Sequence, residues 1–169
     1  MADKYLYINP STGNFTEREA TVTSAGAGDA GEIVALDAAG KLDNSVMPVG
    51  IGADTQSITT SEALAAGDLV NVHDSTGAKV RKADATTVGK EAHGFVLASV
   101  GSGAAATVYF EGTITGLTGL TPGNAFLATA AGTPTDTPPS GSGNVIQKVG
   151  VATSTTTLNF EPGPVVVLA

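Results

Sequence analysis

The sequence predicts an all-β protein: a small β-barrel or sandwich domain over residues 54–169, preceded by an extended N-terminal arm over residues 1–53. Three observations point there. Apolar runs are short, rich in Val, Ile, Leu and Phe, and each is cut off by Gly, Pro, Thr or Ser. Turn signals recur at roughly the 8–12-residue spacing of sandwiches and barrels. Only one segment, residues 61–66, reads as helical.

In the arm, Tyr5-Leu6-Tyr7-Ile8 reads as a strand closed by Asn9-Pro10-Ser11-Thr12-Gly13, a strong turn signal. Asn14-Phe15-Thr16-Glu17 is the returning strand of a hairpin. Residues 21–24 are β-prone, 25–31 flexible, and 32–37 a short strand or turn. A connector, Leu42-Asp43-Asn44-Ser45-Val46-Met47-Pro48, follows, and Pro48 stops any helix there. Nothing in residues 1–53 could build a core alone, so this segment is expected to lie on something else.

In the second part, strands are expected over residues 56–60, 68–73, 78–82, 94–99 and 107–111, then 113–115, 125–128, 144–149, 157–160 and 164–168. Asp74-Ser75-Thr76-Gly77 is a hairpin connection. Residues 61–66 have a Ser at the N-cap position and Gly67 as a stop, but they make only about one and a half helical turns, so they read either as a short helix or as a turn within a β-structure. No repeat of fixed period is visible.

Composition narrows the function. Hydrophobic residues are 41% of the 169, yet aromatics are 5% and Trp is absent. Small side chains each bury little area, at about 25 cal/mol per Å², so the core is thin and a homo-oligomer is expected. Charged residues are 14% and the formal net charge is −8. That balance argues against nucleic acid, which needs a basic patch to displace counterions, and against an anionic membrane. Without cysteine there are neither disulfides nor thiolate chemistry. The N-terminus lacks the basic and apolar regions of a signal peptide, and no apolar run approaches the ~20 residues of a membrane span. Synthesis in the cytoplasm and a soluble product are expected.

The sites that could carry chemistry are sparse. Gly26-Ala27-Gly28-Asp29-Ala30-Gly31 fits G-x-G-x-x-G, but a dinucleotide fingerprint needs a strand before it and a helix after it. His73 and His93 lack metal-ligand spacing, and no G-x-S-x-G elbow occurs. Asp29, Asp37, Asp43, Asp54 and Asp136 are scattered, without the spacing of a calcium loop. No cofactor, metal or enzymatic activity is expected. The Lys79–Lys82 run either meets an acidic partner or lines a solvated strand face. Tyr5 and Tyr7 alternate on the arm, where aromatics either make good interface anchors or pack locally.

Three stretches resemble structural proteins of tailed bacteriophages. Gly40-Lys41-Leu42-Asp43-Asn44-Ser45-Val46-Met47-Pro48 is similar to a connector of phage fibre and spike proteins. Ala66-Gly67-Asp68-Leu69-Val70-Asn71-Val72, His93-Gly94-Phe95-Val96-Leu97 and Tyr109-Phe110-Glu111-Gly112 resemble the small β-barrel of capsid decoration (cement) and head-fibre proteins. Val149-Gly150-Val151-Ala152 and Asn159-Phe160-Glu161-Pro162-Gly163-Pro164 resemble a C-terminal ending of such virion proteins. The resemblance implies a virion protein on the capsid surface, a homotrimer whose arm or barrel contacts the major capsid protein, with no catalytic residues. The candidate partner contacts are Tyr5, Tyr7 and Phe15 in the arm, with Leu42, Val46 and Met47 in the connector. The alternative is a tail-fibre, head-fibre or baseplate component that binds a host receptor or another fibre. From a different class, a small carbohydrate-active or hydrolytic β-domain is disfavoured by the few histidines, the missing Trp platform and the absence of paired carboxylates at a recognisable spacing.

Overall fold

The computed structural model describes residues 3–48 and 53–169, and in them the chain is almost entirely β. It divides into two compact units, Met1–Gly52 and Ala53–Ala169. The junction expected near residue 53 abuts residues 49–52, which lie outside the described residues.

In the first unit, β1 (Lys4–Ile8) pairs antiparallel with β2 (Phe15–Glu19), from Lys4 opposite Glu19 to Ile8 opposite Phe15. The turn forms because Asn9 caps it. Its side-chain Oδ1 accepts from the Ser11 N–H at 2.9 Å, and its carbonyl accepts from the Gly13 N–H at 2.8 Å. Gly13 sits at φ +71°, a left-handed conformation that glycine adopts at no steric cost. Beyond the hairpin the chain is not outstretched as expected. It folds into turns, including the 3₁₀ turns Ala27–Asp29 and Asn44–Val46, and a parallel bridge joins Thr21 to Val34. Among the described residues of this unit no side chain is buried.

The second unit contains a closed five-stranded barrel and a half-barrel sheet. The barrel runs β3 (Thr55–Thr60), β5 (Ala78–Lys82), β4 (Leu69–Asp74), β6 (Gly94–Val96), β7 (Ala105–Tyr109), and β7 closes antiparallel on β3. Its interior holds Ile58, Leu64, Val70, Val80, Val96, Ala106 and Val108. Aliphatic side chains of this size fill the narrow lumen of a five-stranded barrel, where an aromatic would crowd it.

The second sheet has the order β10 (Pro134–Thr135), β9 (Gly123–Leu127), β11 (Val145–Ala152), β12 (Leu158–Phe160), β8 (Gly112–Ile114). A further strand, β13 (Val165–Val167), pairs with the start of β11. This sheet packs on the outside of the barrel wall. Leu69 and Phe95 alternate with inward Val70 and Val96 and point the other way, into a second core with Leu127, Leu158 and Phe160. Phe95 stacks on Tyr109 and meets Phe160 edge-on, each at 5.4 Å between ring centroids. Strands covered on both faces read as near-continuous apolar runs, which is why alternation in residues 69–73 is imperfect.

Of the two readings of residues 61–66, no helix forms and the segment is a turn within the β-structure. Leu64 instead exchanges two 2.9 Å backbone hydrogen bonds with Val100 and is buried at the end of the barrel. Six residues nucleate a helix poorly, and burying one leucine in a formed core outweighs a weak local preference.

Candidate functional site

The hairpin has two faces, because side chains alternate along each strand. Tyr5, Tyr7, Thr16 and Arg18 share one. The Tyr5 hydroxyl donates to Glu32 Oε2 at 3.1 Å, Arg18 forms an ion pair with Glu32 Oε1, and the Arg18 guanidinium lies 5.2 Å from the Tyr7 ring centroid. Glu32 thus anchors this face to the turn that follows. Lys4, Leu6, Ile8, Phe15, Glu17 and Glu19 share the opposite face. Its three apolar side chains are open to solvent: Leu6 is 67% exposed, Ile8 60% and Phe15 74%.

The connector builds the second feature. Asp43 caps the 3₁₀ turn Asn44–Val46, with Oδ1 accepting from the Ser45 hydroxyl at 2.6 Å and the Ser45 N–H at 2.9 Å. These bonds, that of the hydroxyl first, hold the Asp43 carboxyl below its ordinary pKa. Ser45 Oγ in turn accepts from the Ser24 N–H at 2.8 Å. The result is a shallow cleft of about 230 Å³ whose apolar wall includes Val34, Val46, Met47 and Pro48 and whose polar side carries Asp29 and Glu32.

Five of the six candidate contacts therefore fall in three places. Tyr5 and Tyr7 are half-buried on the face held by Glu32, Phe15 stands on the open face, and Val46 and Met47 line the cleft. Leu42 is exposed and does not line the cleft. Sequence reasoning passed over Leu6 and Ile8, the neighbours of Phe15. Strand alternation between 5 and 8 separates them from the tyrosines, but which face is covered depends on Glu32, far along the chain.

Elsewhere the reactive groups are engaged in structure. Ser61 Oγ lies 2.9 Å from His73 Nε2 and 3.2 Å from the Val80 carbonyl oxygen. A serine has one proton, so the hydroxyl donates either to Val80 or to His73, according to the tautomer of the imidazole. His93 Nδ1 accepts from the Val72 N–H at 3.0 Å. In the 26–31 glycine segment, Asp29 Oδ2 takes the Ala25 N–H at 2.6 Å, placing a carboxylate where a phosphate cradle would need free donors. Among the described residues, no three His, Asp or Glu side chains are grouped to hold a metal ion, and no helix is long and apolar enough to cross a membrane.

Lys79 and Arg81 extend from β5 on the same side as Asn71 and His73 of β4. Arg81 Nε donates to Asn71 Oδ1 at 3.0 Å and Nη2 to the Gly89 carbonyl at 2.7 Å. Its guanidinium braces the barrel wall. The chain matches no protein-family model, and no curated protein matches it.

Proposed function

We propose that this chain is a virion structural protein: a capsid decoration (cement) protein of a tailed phage that acts by binding, as a homotrimer, to the outside of the head. The observation that carries the reading is the outer face of the hairpin. Leu6, Ile8 and Phe15 form an exposed apolar group on a unit without a single buried side chain among its described residues. Such a unit gains stability by laying that face on a partner, and an aromatic flanked by aliphatics is the kind of anchor that dominates interface energies. The phage-like connector and barrel stretches supply the identity of the partner, the major capsid protein. Many symmetric copies would add their modest grips and hold neighbouring capsid subunits together. The barrel unit, with its small side chains, would supply the trimer contact.

The test is co-sedimentation of the purified protein with bare capsids, together with its mass in solution. A trimer that pellets with shells is expected, and Leu6→Lys with Phe15→Lys should weaken that binding by at least about 2 kcal/mol, or thirtyfold. A protein that ignores shells but binds tails or host cells would replace this reading with that of a fibre or baseplate component.

A further inference from the structure

The last strand presents an unguarded edge. Val165, Val166 and Val167 are 39%, 56% and 52% exposed, and among the described residues β13 pairs only with β11. The direction of its backbone groups follows from its neighbours. The Leu168 N–H donates to the Asn144 carbonyl and the Leu168 carbonyl accepts from the Gly143 N–H, both at 2.9 Å, so Leu168 aims both groups at the β11 side. Antiparallel strands alternate, so Val166, opposite Ile146, does the same. Val165 and Val167 must then aim their N–H and C=O groups away from β11. Val145, opposite Val167, has the matching parity, since its N–H goes to the Ala85 carbonyl at 2.8 Å on its far side. Among the described residues no turn, loop or side-chain hydrogen bond reaches Val165 or Val167.

Natural sheets blunt such edges with Lys, Pro or a bulge. The β10 edge of this sheet carries Pro134, whereas β13 has three valines. Three features therefore coincide: an apolar strand, two residues with outward donors and acceptors, and a sequence that reads the same in both directions about Val166.

We propose that β13 is the edge at which a second copy of this chain joins the sheet, antiparallel and centred on Val166. In that register Val165 faces Val167 of the partner as a hydrogen-bonded pair, and the symmetric pair repeats it. All four outward N–H groups and all four outward carbonyls of the two strands fall within reach of one another. A strand from an unrelated protein would need no such self-matching register. The contact is two-fold, so it does not close a trimer; it links one oligomer to the next. It stands whether or not the protein binds capsids.

The pairing places Val166 opposite its own copy in a non-hydrogen-bonded position, where Cα atoms lie about 4.5 Å apart, within the roughly 4.4–6.8 Å that a disulfide spans. The chain contains no cysteine, so Val166→Cys introduces a single reporter. Under mild oxidation the full-length variant is expected to form a reducible dimer at least about tenfold faster than Val151→Cys, an exposed control on β11, because pairing raises the local thiol concentration. Equal rates would overturn the proposal. A second arm uses Val165→Lys with Val167→Lys, which leaves the β11 ladder intact. At rising protein concentration the wild type should sediment as species larger than the double variant, which stays at the mass of the unlinked oligomer, and identical masses throughout would also overturn it. Capsid binding, measured separately on the same variants, reports on the decoration reading alone.

Discussion

The side chain of Gln147 pairs with the backbone of Ala92 as a strand would. Its Oε1 accepts from the Ala92 N–H at 2.8 Å and its Nε2 donates to the Ala92 carbonyl at 2.9 Å. Both residues are buried. The amide thus ties the loop entering β6 of the barrel to β11 of the second sheet, across a water-excluded seam. Gln147→Leu keeps most of the volume but leaves a buried donor and a buried acceptor unpaired. Each costs about 1–3 kcal/mol, so a loss of about 2–6 kcal/mol in urea unfolding is expected, well above that of a surface substitution.

Gly150 is the second point where one atom decides. It lies at a register shift in β11, at φ +144°, and a Cβ there would run into the Asn159 carbonyl oxygen and crowd the Glu161 N–H. Both obstacles are backbone, so neither can swing aside. Gly150→Ala should cost at least about 3 kcal/mol, the strain of the backbone conformation plus displacement of β12. Gly119→Ala, at φ +75° with open space around it, should cost only about 1 kcal/mol. Thermal melts of the two variants make the comparison, and near-equal losses would rule out the clash.

Strands were legible where composition and punctuation agree. Residues 144–149, 157–160 and 164–168 are β-branched or apolar runs bounded by Gly, Pro or Thr, and they correspond to β11, β12 and β13. Residues 61–66 stayed open between helix and turn because the local signal there, a Ser cap and an Ala/Leu run, opposes a long-range one: Leu64 fills the barrel end beside Val100. The choice between barrel and sandwich depended on β3 pairing with both β5 and β7, which no local pattern encodes. At the candidate site, the aromatic residues were visible but their environment was not. Tyr5 and Tyr7 are held by Glu32 and Arg18, while the open face belongs to Leu6, Ile8 and Phe15.

Asp84 sets an acid limit on stability. Burial alone would raise its pKa, but hydrogen bonds from the Thr86 hydroxyl, at 2.5 Å, and Lys90 Nζ, at 2.9 Å, with the Thr86 N–H and the Lys90 charge, together bring it below the ordinary value. A carboxylate with a depressed folded-state pKa contributes stability that is fully present above its unfolded value of about 3.9 and fades as pH falls through the folded value. Asp84→Asn keeps an acceptor for Thr86 but loses the charge facing Lys90. It should be less stable than the parent by about 1 kcal/mol near pH 7, with the gap closing below about pH 4. Urea titrations of both proteins at a series of pH values would show it, and a gap that stays constant into acid would assign the effect to packing.

Glu32 governs the order of the hairpin. Its carboxylate side chain is 11% exposed and holds two partners from one hairpin face, the Tyr5 hydroxyl and the Arg18 guanidinium. A two-stranded hairpin is marginal in water by itself, so β1 and β2 depend on this tether. Glu32→Ala removes an acceptor for two donors, one of them charged, at a cost of about 1–2 kcal/mol. Opening of the hairpin should rise roughly five- to thirtyfold. Amide exchange across β1 and β2 should speed up by that factor, while Phe15→Lys, on the opposite face, should leave it nearly unchanged. If the two variants exchange alike, the Glu32 face is not what holds the hairpin. The apolar trio on the outer face would then have to be counted among the hairpin's own contacts and not among those reserved for a partner.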